Sequence, residues 1–250
     1  MTQDLFRQDA YLRECSAHIT AVTDAGIVLD QTVFYPLGGG QAGDSGVLVL
    51  ADGAQITIGD TRKAKDADGN PTSDIVHVPA PGQEDRVAQL TPGTTVTARI
   101  DWERRHRMMR LHTTSHLLCH VVPQLVNGCS ITPDYARLDF AMTDPLDKEQ
   151  LTAAIATLVA AAHPLTVASI SDEELDANPA LVKSMSVQPP RGTGRIRTIR
   201  IGGEGGAPLI DLQPCGGTHV ANTSEIGGIM VTKIEKKSAT TRRVVLGFAQ

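Results

Sequence analysis

The sequence predicts an α+β protein, with a strand-rich N-terminal part over residues 1–98 and a mixed part over residues 99–250. Three observations carry this expectation. Short apolar runs separated by turn residues fill the first hundred positions. From Asp101 the apolar residues switch to helical spacing. After a second helical stretch the chain returns to strands, which gives an antiparallel sheet beside two main helices.

In order, "SAHITAV" and "GIVLDQTVF" flank the turn Thr23-Asp24-Ala25-Gly26, and "GVLVL" and "AQITIG" flank Ala51-Asp52-Gly53. "DADGNPTS" reads as a polar loop, and "TTVTARI" closes the series with β-branched residues. Strands at this spacing suggest a small barrel. "DWERRHRMMRLHTTSHLLCHVV" reads as a long helix with Met108, Leu111, Leu118 and Val122 near helical spacing, and Pro123 should end or kink it. "YARLDFAM" is a strand. "DPLDKEQLTAAIATLVAAA" is the second helix, with Asp144 as its N-cap and Pro145 in its first position. "LTVASI", "GRIRTIRI" and "APLIDL" are strands, and "GGIMVTKIEKK" with "RRVVLGFA" forms a closing hairpin.

Composition excludes several classes. Hydrophobic residues at 41% and charged residues at 20% describe an ordinary globular chain. The polar start, "MTQDLFRQDAYLREC", lacks the apolar stretch of a signal peptide, and no apolar run is long enough for a membrane span. Cys15, Cys119, Cys129 and Cys215 are irregularly spaced, so a reducing cytoplasm is expected and a disulfide framework is not. The net charge of −5 hides segregation: Arg191, Arg195, Arg197 and Arg200 cluster, and Lys233, Lys236, Lys237, Arg242 and Arg243 face only Glu235. With aromatics at 3%, a polyanionic partner would be held by charge and hydrogen bonds rather than by base stacking.

Two half-sites suggest a metal. His112 and His116 lie four apart in "HTTSH", on one face of the first helix, at a spacing that suits tetrahedral zinc. Cys215 and His219 bracket Gly216-Gly217-Thr218, a turn that can bring thiolate and imidazole to one point. Thr113 stands where a zinc peptidase of the HExxH type has its glutamate, which argues against peptide hydrolysis. Polarising a carbonyl, activating a water and a structural role all stay open, and so does whether His219 is a firm fourth ligand. The stretch "FYPLGGGQAGDSG", Phe34 to Gly46, has neither a P-loop ending nor GxGxxG spacing, so ATP is not expected. Its Gly39, Gly40, Gln41 and Asp44 could lie against a ligand through close backbone approach and hydrogen bonds.

"HTTSHLL", "PCGGTHV" and "FYPLGGGQAGDSG", with "RLDF", "DEELDANPALVKSM" and "DLQPCGGTHVANTSEIGG" in this order, resemble the editing domain of alanyl-tRNA synthetases and its free-standing relatives, the AlaX proteins. The glycine-rich N-terminal part resembles the medium-length, stand-alone class. The resemblance implies a translation-factor-like barrel over residues 1–98, followed by an editing domain over 99–250 with zinc at His112, His116, Cys215 and His219. It implies hydrolysis of the ester joining serine, and glycine as a second substrate, to tRNA(Ala). Where the family tends to carry a Lys-Gly-Lys-like turn and an Asn before paired arginines, this chain has "KKSATTRR".

Editing of this kind needs a pocket that hydrogen-bonds the serine hydroxyl, because a site built for alanine rejects an added hydroxyl only by about 10²-fold. Ser130 and Thr113 are the expected substrate contacts, together with Gly39, Gly40, Gln41 and Asp44. Arg195, Arg197, Arg242 and Arg243 are the expected tRNA contacts, in a monomer or weak dimer. The rival readings are editing of Ser-tRNA(Thr) and a structural-zinc module that binds RNA without hydrolysis.

Overall fold

The computed structural model describes residues 1–189, 194–203 and 205–249. The chain divides into two units, Met1–Gly38 with Ala42–His106, and Gly39–Gln41 with Arg107–Gln250. The fold is α+β, with antiparallel sheets and four α-helices among the described residues.

The first unit carries β1 (Gln3–Asp4), β2 (Glu14–Thr23), β3 (Gly26–Leu29), β4 (Gln31–Thr32), β5 (Gly46–Leu50), β6 (Gln55–Lys65), β7 (Pro71–Pro79), the short α1 (Glu84–Val87) and β8 (Thr95–Ile100). Pairing runs β2, β3, β7, β6, β5, β8 and returns to β2, all antiparallel, while β1 and β4 pair in parallel outside it. Alternation along the strands sends Ile19, Leu48, Ile56, Ile58, Val96 and Ala98 inward, all 2% exposed or less.

β7 begins inside the segment expected as a loop. The Asp66 carboxylate accepts from the amides of Asp68 at 3.0 Å and Asn70 at 2.8 Å, which confines the turn to "DADGN". Pro71 then opens the new strand opposite Lys65, the first-residue position where a strand tolerates proline. Two buried polar groups also belong to this unit. His77, fully buried, contacts Thr32 Oγ1 through Nε2 at 2.8 Å and donates from Nδ1 to the Ile27 carbonyl at 3.0 Å. Arg105 and Asp44 form an ion pair with both side chains almost wholly buried.

α2 (Trp102–Val121) begins in the first unit and contributes the rest of its length to the second. The Asp101 carboxylate accepts from the Arg104 amide at 3.1 Å and so starts the helix. The second unit adds β9 (Val126–Ile131), β10 (Tyr135–Ala141), α3 (Lys148–Ala160), β11 (Leu165–Ile170), the short α4 (Asp172–Ala177), β12 (Ile196–Gly202), β13 (Leu209–Pro214), β14 (Ile229–Ser238) and β15 (Thr241–Phe248). One sheet has the order β14-β15-β10-β9 and the other β11-β12-β13. β14 and β15 form the expected closing hairpin.

α3 starts three residues later than Asp144 and Pro145 suggested. Its N-cap is Asp147, whose carboxylate accepts from the Gln150 amide at 2.8 Å. Of two aspartates, the one that can reach an amide of the first turn fixes the start. α3 buries Leu151 and Ile155, and its Thr152 hydroxyl accepts from the Val231 amide of β14 at 3.1 Å. Leu111 through Cys119 of α2 are all buried, so the polar residues among them need partners inside the protein.

Candidate metal centre

α2 and the turn after β13 bring four donors together. His112 and His116 project from one face of the helix. "PCGGTH" leaves β13 and returns Cys215 and His219 to them. The donor atoms of all four lie within 4.8 Å of one another. Gly217 makes the turn possible, because a Cβ there would stand 2.1 Å from His112 Cε1. Thr114 and Ser115, between the two histidines, satisfy their hydroxyls on the helix carbonyls of Arg110 and Leu111.

Each ring is held by the nitrogen that faces away from the centre. His112 Nδ1 donates to Gln41 Oε1 at 2.8 Å, and that oxygen also accepts from the Thr218 amide at 3.1 Å. Gln41 Nε2 donates to Thr218 Oγ1 at 2.8 Å, which ties the glycine-rich stretch to the metal-side turn. His116 Nδ1 donates to Asp211 Oδ2 at 2.7 Å, and Gln213 Nε2 donates to the same oxygen at 2.8 Å. Lys183 pairs with the other Asp211 oxygen. His219 Nδ1 lies 3.2 Å from Thr113 Oγ1, which also accepts from the Val220 amide at 3.3 Å. These bonds leave Nε2 of each ring for the centre. Partners of this kind set the orientation and tautomer of metal-binding imidazoles.

The spacing tests whether zinc fits. Nitrogen and sulfur donors of tetrahedral zinc stand roughly 3.5 Å apart. Cys215 Sγ lies 3.5 Å from His112 Nε2 and 3.3 Å from His219 Nε2. Three imidazoles and a thiol, closely gathered and mostly buried, suit zinc better than magnesium or calcium, which take oxygen donors.

Electrostatics agree with that donor set. Burial raises the Cys215 pKa, but the charges of His112 and His219 outweigh it and hold the thiol well below its ordinary value, towards the thiolate that binds metals. Burial and the charge of His112 hold His219 well below its ordinary value. Burial would lower His116 too, but the Asp211 hydrogen bond and Cys215 raise it to about 9. Asp211 itself, pushed up by burial, is brought down to about 2 by His116 and Lys183.

The other expected site residues go to different places. Gly39 and Gly40 run beside β9: the Gly40 carbonyl accepts from the Ile131 amide at 2.8 Å, and Gln41 bridges Ile131 in parallel. Gly40 has φ +85°, and a Cβ there would meet Cys129 Sγ at 2.3 Å. Gln41 is fully buried, and its Oε1 accepts from His112 Nδ1. Thr113 is likewise buried behind His219. Ser130 lies on β9, where alternation turns it away from the face that Cys129 shares with buried Leu138. Asp44 is a core anion: Arg105 takes its carboxylate, which also accepts from the Tyr35 amide at 2.6 Å.

The expected tRNA arginines are mostly engaged with the protein. Arg242 is 9% exposed and donates to the Thr143, Ser238 and Thr241 carbonyls. Arg243 pairs with Asp139 at 2.7 Å, and Arg195 donates to Ser169 Oγ at 2.5 Å. Arg197 donates to the carbonyls of Cys215 at 2.6 Å and Gly217 at 3.1 Å, gripping the metal-side turn. Arg191 lies outside the described residues. Sequence reasoning missed Asp211, Gln213, Lys183 and Thr218. Asp211 and Gln213 left one signal, two polar residues at i and i+2 on one face of a strand that runs into the cysteine.

Comparison with known proteins agrees with this geometry. The family model for the threonyl and alanyl tRNA synthetase second additional domain matches residues 196–245, and one for class II (A) tRNA synthetases matches residues 7–104. The alanyl-tRNA editing protein AlaX-M of Saccharolobus solfataricus is 32% identical over 248 residues, 98% of each chain. The protein of that name from Methanosarcina acetivorans is 32% identical over 253 residues, again 98% of each. The alanine–tRNA ligase of Metallosphaera sedula is 34% identical over 244 residues, which are 94% of this chain and 25% of the ligase. With such likeness along nearly its whole length, the chain belongs to the AlaX-M family of alanyl-tRNA editing proteins.

Proposed function

We propose that the chain is a zinc-dependent aminoacyl-tRNA deacylase that works in trans on tRNA(Ala) bearing the wrong amino acid, serine first and glycine second. The observation that carries this reading is the convergence of His112, His116, Cys215 and His219, each imidazole braced by a separate partner. Membership of a family whose relatives are called alanyl-tRNA editing proteins supports the substrate class. On the same reading the ring of six strands is a small barrel of translation-factor type, and residues 1–98 and 99–250 act as its two domains.

The protein's own groups have separable tasks. Gln41, Asp211 and Thr113 aim the three imidazoles, and Arg197 fixes the turn that carries the thiolate. Asp211 does not act as a general base, because His116, Gln213 and Lys183 occupy its oxygens. Zinc held at this cluster supplies Lewis-acid polarisation and a fixed point for substrate or water. An aminoacyl ester is already activated, so orientation and polarisation suffice without a protein base. Selectivity follows if the pocket hydrogen-bonds the serine hydroxyl: alanine then leaves those groups unpaired, a penalty of up to roughly 10⁴-fold. No step uses ATP, and one chain, as a monomer or weak dimer, supplies every residue named.

A deacylation panel tests the proposal, with Ser-, Gly- and Ala-tRNA(Ala) beside Ser-tRNA(Thr). Rapid hydrolysis of Ser-tRNA(Ala), with Ala-tRNA(Ala) spared, is expected. Preference for Ser-tRNA(Thr) would move the assignment to threonine editing. Retained zinc with no hydrolysis of any of the four would leave a structural RNA-binding module.

A further inference from the structure

α2 begins with a dense basic run, and its members have different fates. Arg104 donates to the Gly43 carbonyl at 2.8 Å, and Arg105 is buried against Asp44. Arg107 and Arg110 stack on one ring instead. Their guanidinium carbons lie 4.1 Å and 4.6 Å from the centroid of Phe248, near the end of β15. Each is hydrogen-bonded through Nε: Arg107 donates to the Pro133 carbonyl at 2.8 Å and Arg110 to the Ile226 carbonyl at 2.7 Å.

Such bonds orient the groups without neutralising them. The carboxylate that pairs with one of them is Asp134, 3.7 Å from Arg107 and itself 82% exposed. Burial, and then the charge of Arg107, hold Arg110 below its ordinary pKa. Two like charges fixed on one half-buried ring are unfavourable unless an anion joins them. Arg107 and Arg110 lie roughly 220° and 160° around the helix from His112, on the far side of α2 from the metal cluster.

We propose that Arg107, Arg110 and Phe248 form a phosphodiester-binding site that grips the RNA backbone away from the reacting ester. This rests on the reading that the partner is a tRNA, and it replaces Arg242 and Arg243 as the main phosphate contacts. Guanidinium pairs suit phosphate oxygens because they can donate in parallel, and the aromatic plane keeps them aligned.

The test is binding of uncharged tRNA(Ala) to the zinc-loaded full chain across a salt series. It compares wild type, Arg107→Gln with Arg110→Gln, the corresponding double lysine variant, and a control with Arg62→Gln and Arg99→Gln. The glutamine pair should weaken binding roughly tenfold at low salt and reduce the slope of log K against log salt by about one to two. The lysine pair should recover most of the affinity. The control removes equal charge and should change little. Thermal melts and zinc content of each variant confirm that the fold is kept, and Phe248→Leu offers a milder break should the glutamine pair unfold. Because uncharged tRNA is the probe, the result stands apart from whether Ser-tRNA(Ala) is hydrolysed. Unchanged binding at every salt, equal loss in the control, or arginine-dependent binding of anionic phospholipid vesicles without RNA binding would overturn the proposal.

Discussion

Gly217 shows how much of the metal centre rests on one missing side chain. Any Cβ at this position would enter His112 and would also press on Gln41 Oε1 at 2.8 Å. Gly217→Ala should therefore displace His112 while the fold survives, since the change lies in a turn. Wild type should purify with one zinc per chain, Gly217→Ala with a small fraction of that, and Cys215→Ala and His116→Ala with still less. Metal analysis decides it, and full occupancy in Gly217→Ala would mean that the turn can relax. The four donors themselves were legible from two chelate spacings. Asp211 was not, because its task depends on a pairing 95 residues away along the chain.

Among the elements, the β14–β15 hairpin was legible as a hairpin, while the work of its arginines was not. Arg242 and Arg243 read as a basic pair, but neighbouring strand residues point to opposite faces. One closes on carbonyls and the other meets Asp139, whose pKa Arg243 and then Lys237 bring down to about 2 against the opposing effect of burial. Arg242→Ala should cost about 1–3 kcal/mol of stability by stranding carbonyls. Denaturant unfolding measures this, and tRNA affinity should change little at temperatures where the variant is folded. In the other unit, burial depresses His77 to about 4, opposed only by its bond to Ile27. The folded state then takes up its proton later than the unfolded chain does. The associated stability is full above pH 6.5, falls between 6.5 and about 4, and is constant below. The loss should approach about 3 kcal/mol. With zinc removed from both proteins, His77→Gln should show a flatter dependence of unfolding midpoint on pH than wild type. Parallel curves would assign that pH dependence to other groups.

At the scale of the whole molecule, residues 39–41 belong with the second unit although the chain on both sides of them belongs to the first. A chain beginning at residue 99 would lack Gln41, the acceptor for His112 Nδ1, and would leave Arg105 without Asp44. It should lose zinc as well as activity, and Gln41→Ala in the full chain should reproduce the zinc loss without unfolding. Full zinc retention in both would show that Gln41 is dispensable. Local pattern by itself determined most of the longer strands, the two main helices, the His112/His116 and Cys215/His219 half-sites and the family resemblance, because periodicity and chelate spacing are properties of neighbouring residues, while the short α1 and α4 went unread. Only the tertiary structure decided that Asp147 rather than Asp144 caps α3, that β7 starts at Pro71, and that Asp44 and Arg242 are interior while Arg107 and Arg110 meet on Phe248. The reason is physical. A charged side chain takes its role from the partner it finds when buried, and that partner is fixed by packing between segments distant in sequence.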